Sequence, residues 1–338
     1  MHIPDGYLGP QTCAAYFAVM APLWYGASRM VRRAVPAGRM PFLALAAAFS
    51  FVVMMFNIPV PGGSTGHAVG GAVAALALGP WAAMAALTIV VVVQALLFGD
   101  GGVTAIGANC FNMAFVMPFT AWYVFRFIAG GAAASSARTV FAAALAGYIS
   151  INAAALTTAL AFGIQPLVAT APDGTPLYAP YGLEVAVAAM AFEHLFFFGF
   201  VEAVVTGLVA ARLAAAGTPL LAAPGGEERG GRGAEAGNLR GLYAGILFLV
   251  FLTPLGLAAS GAAWGEWSAG ELSAMIGYTP EGLAALEGLW SAPAQGYLAG
   301  GWGSAAGAAA GYVVSALAGV AVVTLAARLV ARLLPSGG

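Results

Sequence analysis

Residues 67–98 read HAVGGAVAALALGPWAAMAALTIVVVVQALLF, an unbroken apolar run without Asp, Glu, Lys or Arg. A membrane-spanning helix needs about 20 such residues, so these 32 are too many for one crossing. The break falls at Gly79-Pro80, because proline is best accommodated in the first turn of a helix. The stretch therefore predicts a short helix from His67 to Gly79, then a spanning helix over Trp81–Phe98.

Composition carries the same reading to the whole chain. Hydrophobic residues fill 61% of 338 positions and charged residues 7%, against roughly 25% charged in a soluble domain. A chain this poor in charge cannot clothe itself for water, so lipid is its solvent. Further apolar runs lie at Gln11–Val31, Met40–Phe56, Val103–Ile128, Arg138–Phe162, Leu183–Leu213, Leu242–Ala259 and Ser304–Ala327, making nine helices with the pair above. The expected fold class is an all-α integral membrane protein.

All fixed positive charge comes from twelve arginines, since the chain has no lysine. Arg29, Arg32, Arg33 and Arg39 follow the first helix, Arg126 and Arg138 lie between the fifth and sixth, Arg212, Arg229, Arg232 and Arg240 between the seventh and eighth, and Arg328 and Arg332 after the last. With nine crossings all twelve fall on one side, which the positive-inside rule makes the cytoplasm. This predicts a multi-pass protein of the cell membrane with an extracytoplasmic N-terminus and a cytoplasmic C-terminus. A net charge of −1 leaves no basic face for phosphates, so no nucleic-acid partner is expected. Cys13 and Cys110 stand far apart in apolar stretches and read as small hydrophobes.

Pro219–Asn238 mixes Gly, Pro, Ala and charge, the composition of a flexible linker. The expected organisation is a seven-helix core over 1–215, a cytoplasmic linker over 216–239, and a two-helix C-terminal unit over 240–338. The outer loop of that unit carries Glu266, Glu271, Glu281 and Glu287 with Trp264, Trp267 and Trp290, as an amphipathic segment at the membrane interface would.

Only three histidines exist, His2, His67 and His194, and the topology puts the first two on the outer side. The Met1 amine, the His2 backbone nitrogen and the His2 Nδ1 can grip one cation together, closing a five- and a six-membered chelate ring. A fourth nitrogen from His67 would complete a plane, the arrangement preferred by Ni(II) or Cu(II) and accepted by Co(II). The chain start lacks the charged and apolar regions of a signal peptide, and the large His2 favours retention of Met1. Asp5, Asn57, Ser64 and Thr65 are close enough in sequence to orient these ligands; equally, they serve as turn and capping residues. Taken singly, His67 also reads as a helix-packing hydrogen-bond partner and His2 as an ordinary terminal residue.

Three stretches carry a family resemblance: Met1-His-Ile-Pro-Asp-Gly-Tyr-Leu8, Pro61-Gly-Gly-Ser-Thr-Gly-His67 and Phe98-Gly-Asp-Gly-Gly-Val-Thr-Ala-Ile-Gly-Ala-Asn109. Over roughly residues 1–215 the chain resembles the CbiM/NikM family, the substrate-capture membrane subunits (S components) of energy-coupling-factor (ECF) transporters for cobalt and nickel. The resemblance implies an ECF S-component-like core in which Met1, His2 and His67 hold Ni2+ or Co2+. It implies a transmembrane coupling (T) subunit and two cytoplasmic ATPase subunits as partners. The unit after Arg240 looks like the extension of longer members and would stand in for the small accessory membrane subunit of shorter ones.

Competing chemistry is sparse. No Gly-Lys-Ser/Thr loop is present, so the chain holds no ATP site of that kind and is not expected to be an enzyme. Glu193-His194 reverses the zinc-protease order and lacks a second His. Together with Glu202 it is the one core a membrane metalloenzyme would have, but packing between helices or against the coupling subunit is the preferred reading of these intramembrane groups. Asp100 reads as a turn former or an entrance carboxylate, and Asn109, Asn112 and Met113 as residues that could line a cavity. A stand-alone divalent-cation channel or secondary carrier is the functional alternative, favoured by the helix break at Gly79-Pro80 alone.

Overall fold

In the computed structural model the described residues are 1–34, 40–133, 136–215, 236–259, 261–300 and 303–333. Most of the expected linker, 216–235, lies outside them, as do Arg39, Arg229 and Arg232.

Helix α1 runs over Pro10–Ala34 and α2 over Met40–Met54. A two-residue antiparallel ladder follows, β1 (Ile58–Pro59) with β2 (Thr65–Gly66), pairing Ile58 with Gly66 and Pro59 with Thr65. The apolar run that opens the sequence reading breaks where expected. Helix α3 is Gly71–Leu78, and α4 starts at Pro80 after Gly79 and runs to Val93. A π-helical turn, Gln94–Phe98, ends α4. Helices α5 (Ile106–Asn109) and α6 (Met117–Ala129) are joined by a second π-helical stretch, Cys110–Val116. Helix α7 is Ala137–Gly163, α8 is Gln165–Val168, and α9 (Leu183–Glu193) passes through a third π turn, His194–Phe198, into α10 (Gly199–Ala215). Beyond residue 235 come α11 (Ala236–Leu252), the short α12 (Ala269–Ile276) and α13 (Glu281–Glu287), and α14 (Ala305–Leu333).

Among the described residues six helices are long and apolar enough to cross a membrane, and the other three of the nine expected crossings are shorter or less apolar. Helix α3, counted as a crossing, has 8 residues; at about 1.5 Å per residue it reaches less than half of a roughly 30 Å hydrocarbon layer. Helix α1 has the length but is less apolar, and α2 is among the shorter helices. Trp264 and Trp267, expected in an amphipathic segment, are half-buried and pack against the core. Trp264 packs on Tyr181 and Phe162 at ring-centre distances of 4.5 and 6.0 Å, because burying an indole on aromatic neighbours removes more apolar surface than leaving it on the rim. Trp290 remains exposed.

The core is built from small residues. Ala142, Ala143, Ala146 and Ala210 are buried where α7 packs on α6 and α10, which lets helix axes approach closely in a solvent that gives apolar side chains no reason to leave it. Helices α11 and α14 pack on α2, and α14 also on α4, so residues before and after the linker share one apolar cluster.

Candidate metal-capture site

The first eight residues form no helix or strand, yet Met1, His2, Ile3, Tyr7 and Leu8 are buried. Buried backbone polar groups need partners, and here other segments supply them. Asn109 holds Ile3 at both ends: the Ile3 N–H donates to Asn109 Oδ1 (2.8 Å) and Asn109 Nδ2 donates to the Ile3 carbonyl (3.1 Å). Gly102 N–H donates to the same carbonyl at 2.8 Å. The Asp5 carboxylate accepts from the Val103 and Thr104 N–H groups at 3.1 and 2.8 Å and from the Thr104 hydroxyl. Tyr7 donates its hydroxyl to the Trp267 carbonyl at 2.7 Å. The strap is thus seated on the loop after α4, the end of α5 and the segment after α11.

That seat brings His2 and His67 together, with ring centres 5.3 Å apart. His67 follows β2, and its Nδ1 lies 3.0 Å from the Ala68 carbonyl. A carbonyl only accepts, so Nδ1 carries the proton and Nε2 keeps its lone pair. His2 Nε2 is 3.3 Å from Gln94 Oε1. The Gln94 amide orientation is fixed by its Nε2, which donates to Asp100 Oδ2 (3.4 Å) and to the Tyr297 hydroxyl (3.3 Å). Nε2 of His2 is therefore the protonated nitrogen and Nδ1 the one with the lone pair. That Nδ1 is buried without a hydrogen-bond partner, although Asp100 Oδ1 lies 3.0 Å away. Two lone pairs face each other there, an arrangement that a positive centre between them would relieve.

Burial pushes the His67 pKa down to about 3 and lowers that of His2, so both rings are neutral near pH 7. The Met1 nitrogen lies 3.7 Å from Glu266 Oε1, a carboxyl that burial pushes up to about 7. A cavity of about 330 Å³ opens beside these groups, lined by Met1, His67, Asp100, Glu266, Tyr297 and Asn57 among others. Among the described residues no three His, Cys, Asp or Glu side chains are placed to hold a metal ion. The Met1-His2 start offers main-chain nitrogen as well as imidazole at this place.

The other expected positions divide. Asn57 and Thr65 line the cavity, Thr65 also being buried. Asp5 serves the 103–104 backbone and does not touch either imidazole. Ser64 Oγ accepts from the Trp264 N–H at 3.0 Å, tying the loop before His67 to the C-terminal region. Sequence reasoning passed over Gln94, Glu266 and Tyr297 and favoured a turn role for Asp100. Gln94 left a usable signal: one amide inside Val-Val-Val-Gln-Ala-Leu-Leu-Phe is costly in lipid unless it has a task.

The intramembrane trio does not converge. His194 Nδ1 bonds the Met190 carbonyl of its own helix at 2.9 Å. Glu202 on α10 accepts from the Val69 and Gly70 N–H groups at 2.8 and 3.1 Å, capping α3 from another helix. It thereby holds the backbone just after His67. Glu202→Ala is expected to loosen that turn and weaken cation binding about tenfold, since outer supports of a ligand contribute on that scale; calorimetric titration of the variant checks it.

Comparison with known proteins gives consistent results. The family profile CbiM, described as the cobalt uptake substrate-specific transmembrane region, matches residues 2–220. The chain is 48% identical to the fused nickel transport protein NikMN of Rhodobacter capsulatus, over 96% of this chain and 95% of that one. It is 41% identical to the probable fused nickel transport protein LarMN of Lactiplantibacillus plantarum, over 84% of each. The crystal structure of a truncated transition metal transporter superposes with a TM-score of 0.60 at 49% identity, covering 64% of this chain and 99% of that one.

Proposed function

Because the chain belongs to the CbiM family of cobalt-uptake transmembrane proteins, and is a multi-pass membrane metal-transport component rather than an enzyme, we propose that it is the substrate-specific component of an ATP-driven ECF-type importer. It captures Ni2+ or Co2+ at the extracytoplasmic face. Met1 (amine), His2 (backbone nitrogen and Nδ1) and His67 (Nε2) hold the ion. The observation that carries this reading is the buried, unpartnered His2 Nδ1 with the His67 ring beside it and the Met1 amine at the same cavity.

Residues 1–215 act as the capture core and 240–338 as its extension, taking the place of a small accessory membrane subunit. A transmembrane coupling subunit and two cytoplasmic ATPases supply the energy, and the arginine-rich side faces the cytoplasm. The two relatives described above are named for nickel, so Ni2+ is the first cation to test and Co2+ the second. Calorimetry on the purified chain is the test. His67→Ala should reduce Ni2+ affinity at least about a hundredfold, while His194→Ala should leave it unchanged; the reverse pattern would move the site into the membrane.

A pH prediction follows from the neutral imidazoles. They compete little for protons, so the His2 amide, which binds only after losing its proton, governs the count. Each ion should release at least one proton, and affinity should rise with pH. Titrations in buffers of different ionisation enthalpy count them, and binding without proton release would remove the amide from the ligand set.

A further inference from the structure

Tyr297 reaches the ion site from the far end of the sequence. It belongs to a short turn, Gln295–Leu298, in which Tyr297 and Leu298 have φ of 54° and 57°. Bulky residues seldom adopt this left-handed backbone, and its strain persists only where surrounding contacts enforce it. The contacts are present. Leu97 and Leu96 carbonyls, in the π turn that ends α4, accept from the Ala294 N–H (2.9 Å) and Trp290 Nε1 (3.0 Å). The Tyr297 ring stacks on Phe98 at 5.1 Å and meets Phe51 and Tyr312 edge-on.

Packing alone would be served by phenylalanine. The hydroxyl donates to Asp100 Oδ2 and accepts from Gln94 Nε2 at 3.3 Å. These are the two side chains that address the two ring nitrogens of His2: Gln94 Oε1 faces Nε2 at 3.3 Å and Asp100 Oδ1 faces Nδ1 at 3.0 Å. Tyr297, Gln94 and Asp100 thus close a ring of contacts around one imidazole.

We propose that Tyr297 is a positioning residue of the ion site, fixing the Asp100 carboxylate beside His2 Nδ1 as the counter-charge of the captured divalent cation. The proposal rests on the capture reading above. A dication bound to one deprotonated amide and three neutral nitrogens carries a single net positive charge, and burying it without compensation is costly. One carboxylate held at the chelating nitrogen brings the sum to zero. The C-terminal extension would then complete the site rather than merely cover it.

The test uses the full chain, Ni2+ calorimetry and the electronic absorption spectrum of the bound ion. Tyr297→Phe should weaken binding about 10- to 100-fold with the absorption band unmoved, because the ligands are the same. Asp100→Asn, which keeps the shape, should weaken it at least as much. Tyr297→Phe added to Asp100→Asn should cost almost nothing more, since the hydroxyl acts through the carboxylate. Tyr312→Phe is the control: its hydroxyl bonds the Met55 carbonyl at 3.0 Å in the same aromatic cluster, and its affinity should stay near wild type.

Equal losses in Tyr297→Phe and Tyr312→Phe, additive losses in the double variant, or wild-type affinity in Asp100→Asn would each overturn the proposal. Should Tyr297→Phe fail to fold, the Asp100→Asn measurement still decides. Retained affinity in His67→Ala would overturn the capture reading and this inference with it. Loss there with full affinity in Tyr297→Phe would overturn only the inference.

Discussion

Placing one extra residue ahead of Met1, or acetylating its amine, is expected to lower Ni2+ affinity at least about a thousandfold, roughly 4 kcal/mol. The amine contributes to one of the two fused chelate rings, and capping it replaces a free lone pair with an amide nitrogen that can bind only by losing a further proton. The seat leaves no room for compensation. Met1 is 8% exposed and His2 2% exposed, and Ile3 is held at its N–H and its carbonyl by Asn109. An added residue must therefore enter the cavity of about 330 Å³ where the ion would sit, or drag His2 away from Gln94 and Asp100. Calorimetry on protein with a protease-defined start, compared with the native start, makes the measurement. Equal affinity in the two preparations would sink the ligand scheme while leaving the membrane fold and the transport family untouched.

The second large effect is expected at Gly102, which no ligand scheme would single out. A methyl group there would come within 2.3 Å of the Asp5 nitrogen and 2.6 Å of the Pro4 carbonyl carbon. Both are backbone, so the strap itself has to move, and the Gly102 N–H bond to the Ile3 carbonyl moves with it. His2 lies two residues before Pro4 and would shift relative to His67. Misplacing a preorganised group by about 1 Å can cost two orders of magnitude. Gly102→Ala is therefore expected to weaken Ni2+ binding about a hundredfold, with overpacking lowering stability by about 1–3 kcal/mol. Gly131→Ala is the control, because a methyl there meets nothing within 4 Å. Titration of the two variants, with a thermal melt of each, separates a displaced site from an unfolded one. Wild-type affinity in Gly102→Ala would mean that the strap is not the platform of the ion site.

These expectations share one feature of the molecule. The amino-terminal strap has no secondary structure to stiffen it, so its rigidity is borrowed. Gly102, Val103 and Thr104 grip it from the loop after α4 and Asn109 from the end of α5, and Trp267 and Glu266 meet it from beyond the linker. Segments distant in sequence therefore set the geometry of its first two residues. Of the two readings of Asp5, ligand support and backbone capping, the contacts are those of the second: a carboxylate at a strap bend is better used on two N–H donors than left facing an imidazole.

Solvent class, the sites of most helices and the break before Pro80 were legible in the sequence alone, because hydropathy and proline geometry act residue by residue and need no knowledge of neighbours in space. The suspicion attached to His2 and His67 was legible as well, since the expected topology puts two of the chain's three histidines on one side. Which groups meet at the site was not. Gln94 and Asp100 share one turn while Glu266 and Tyr297 come from two other places, and π turns such as Gln94–Phe98 shift the helix face that a 3.6-residue period would assign. Only packing brings a left-handed Tyr297 onto Phe98 and lays its hydroxyl against Asp100. Contacts nearly two hundred residues apart follow from how helices dock, and that is a property of the assembled surfaces rather than of any single stretch.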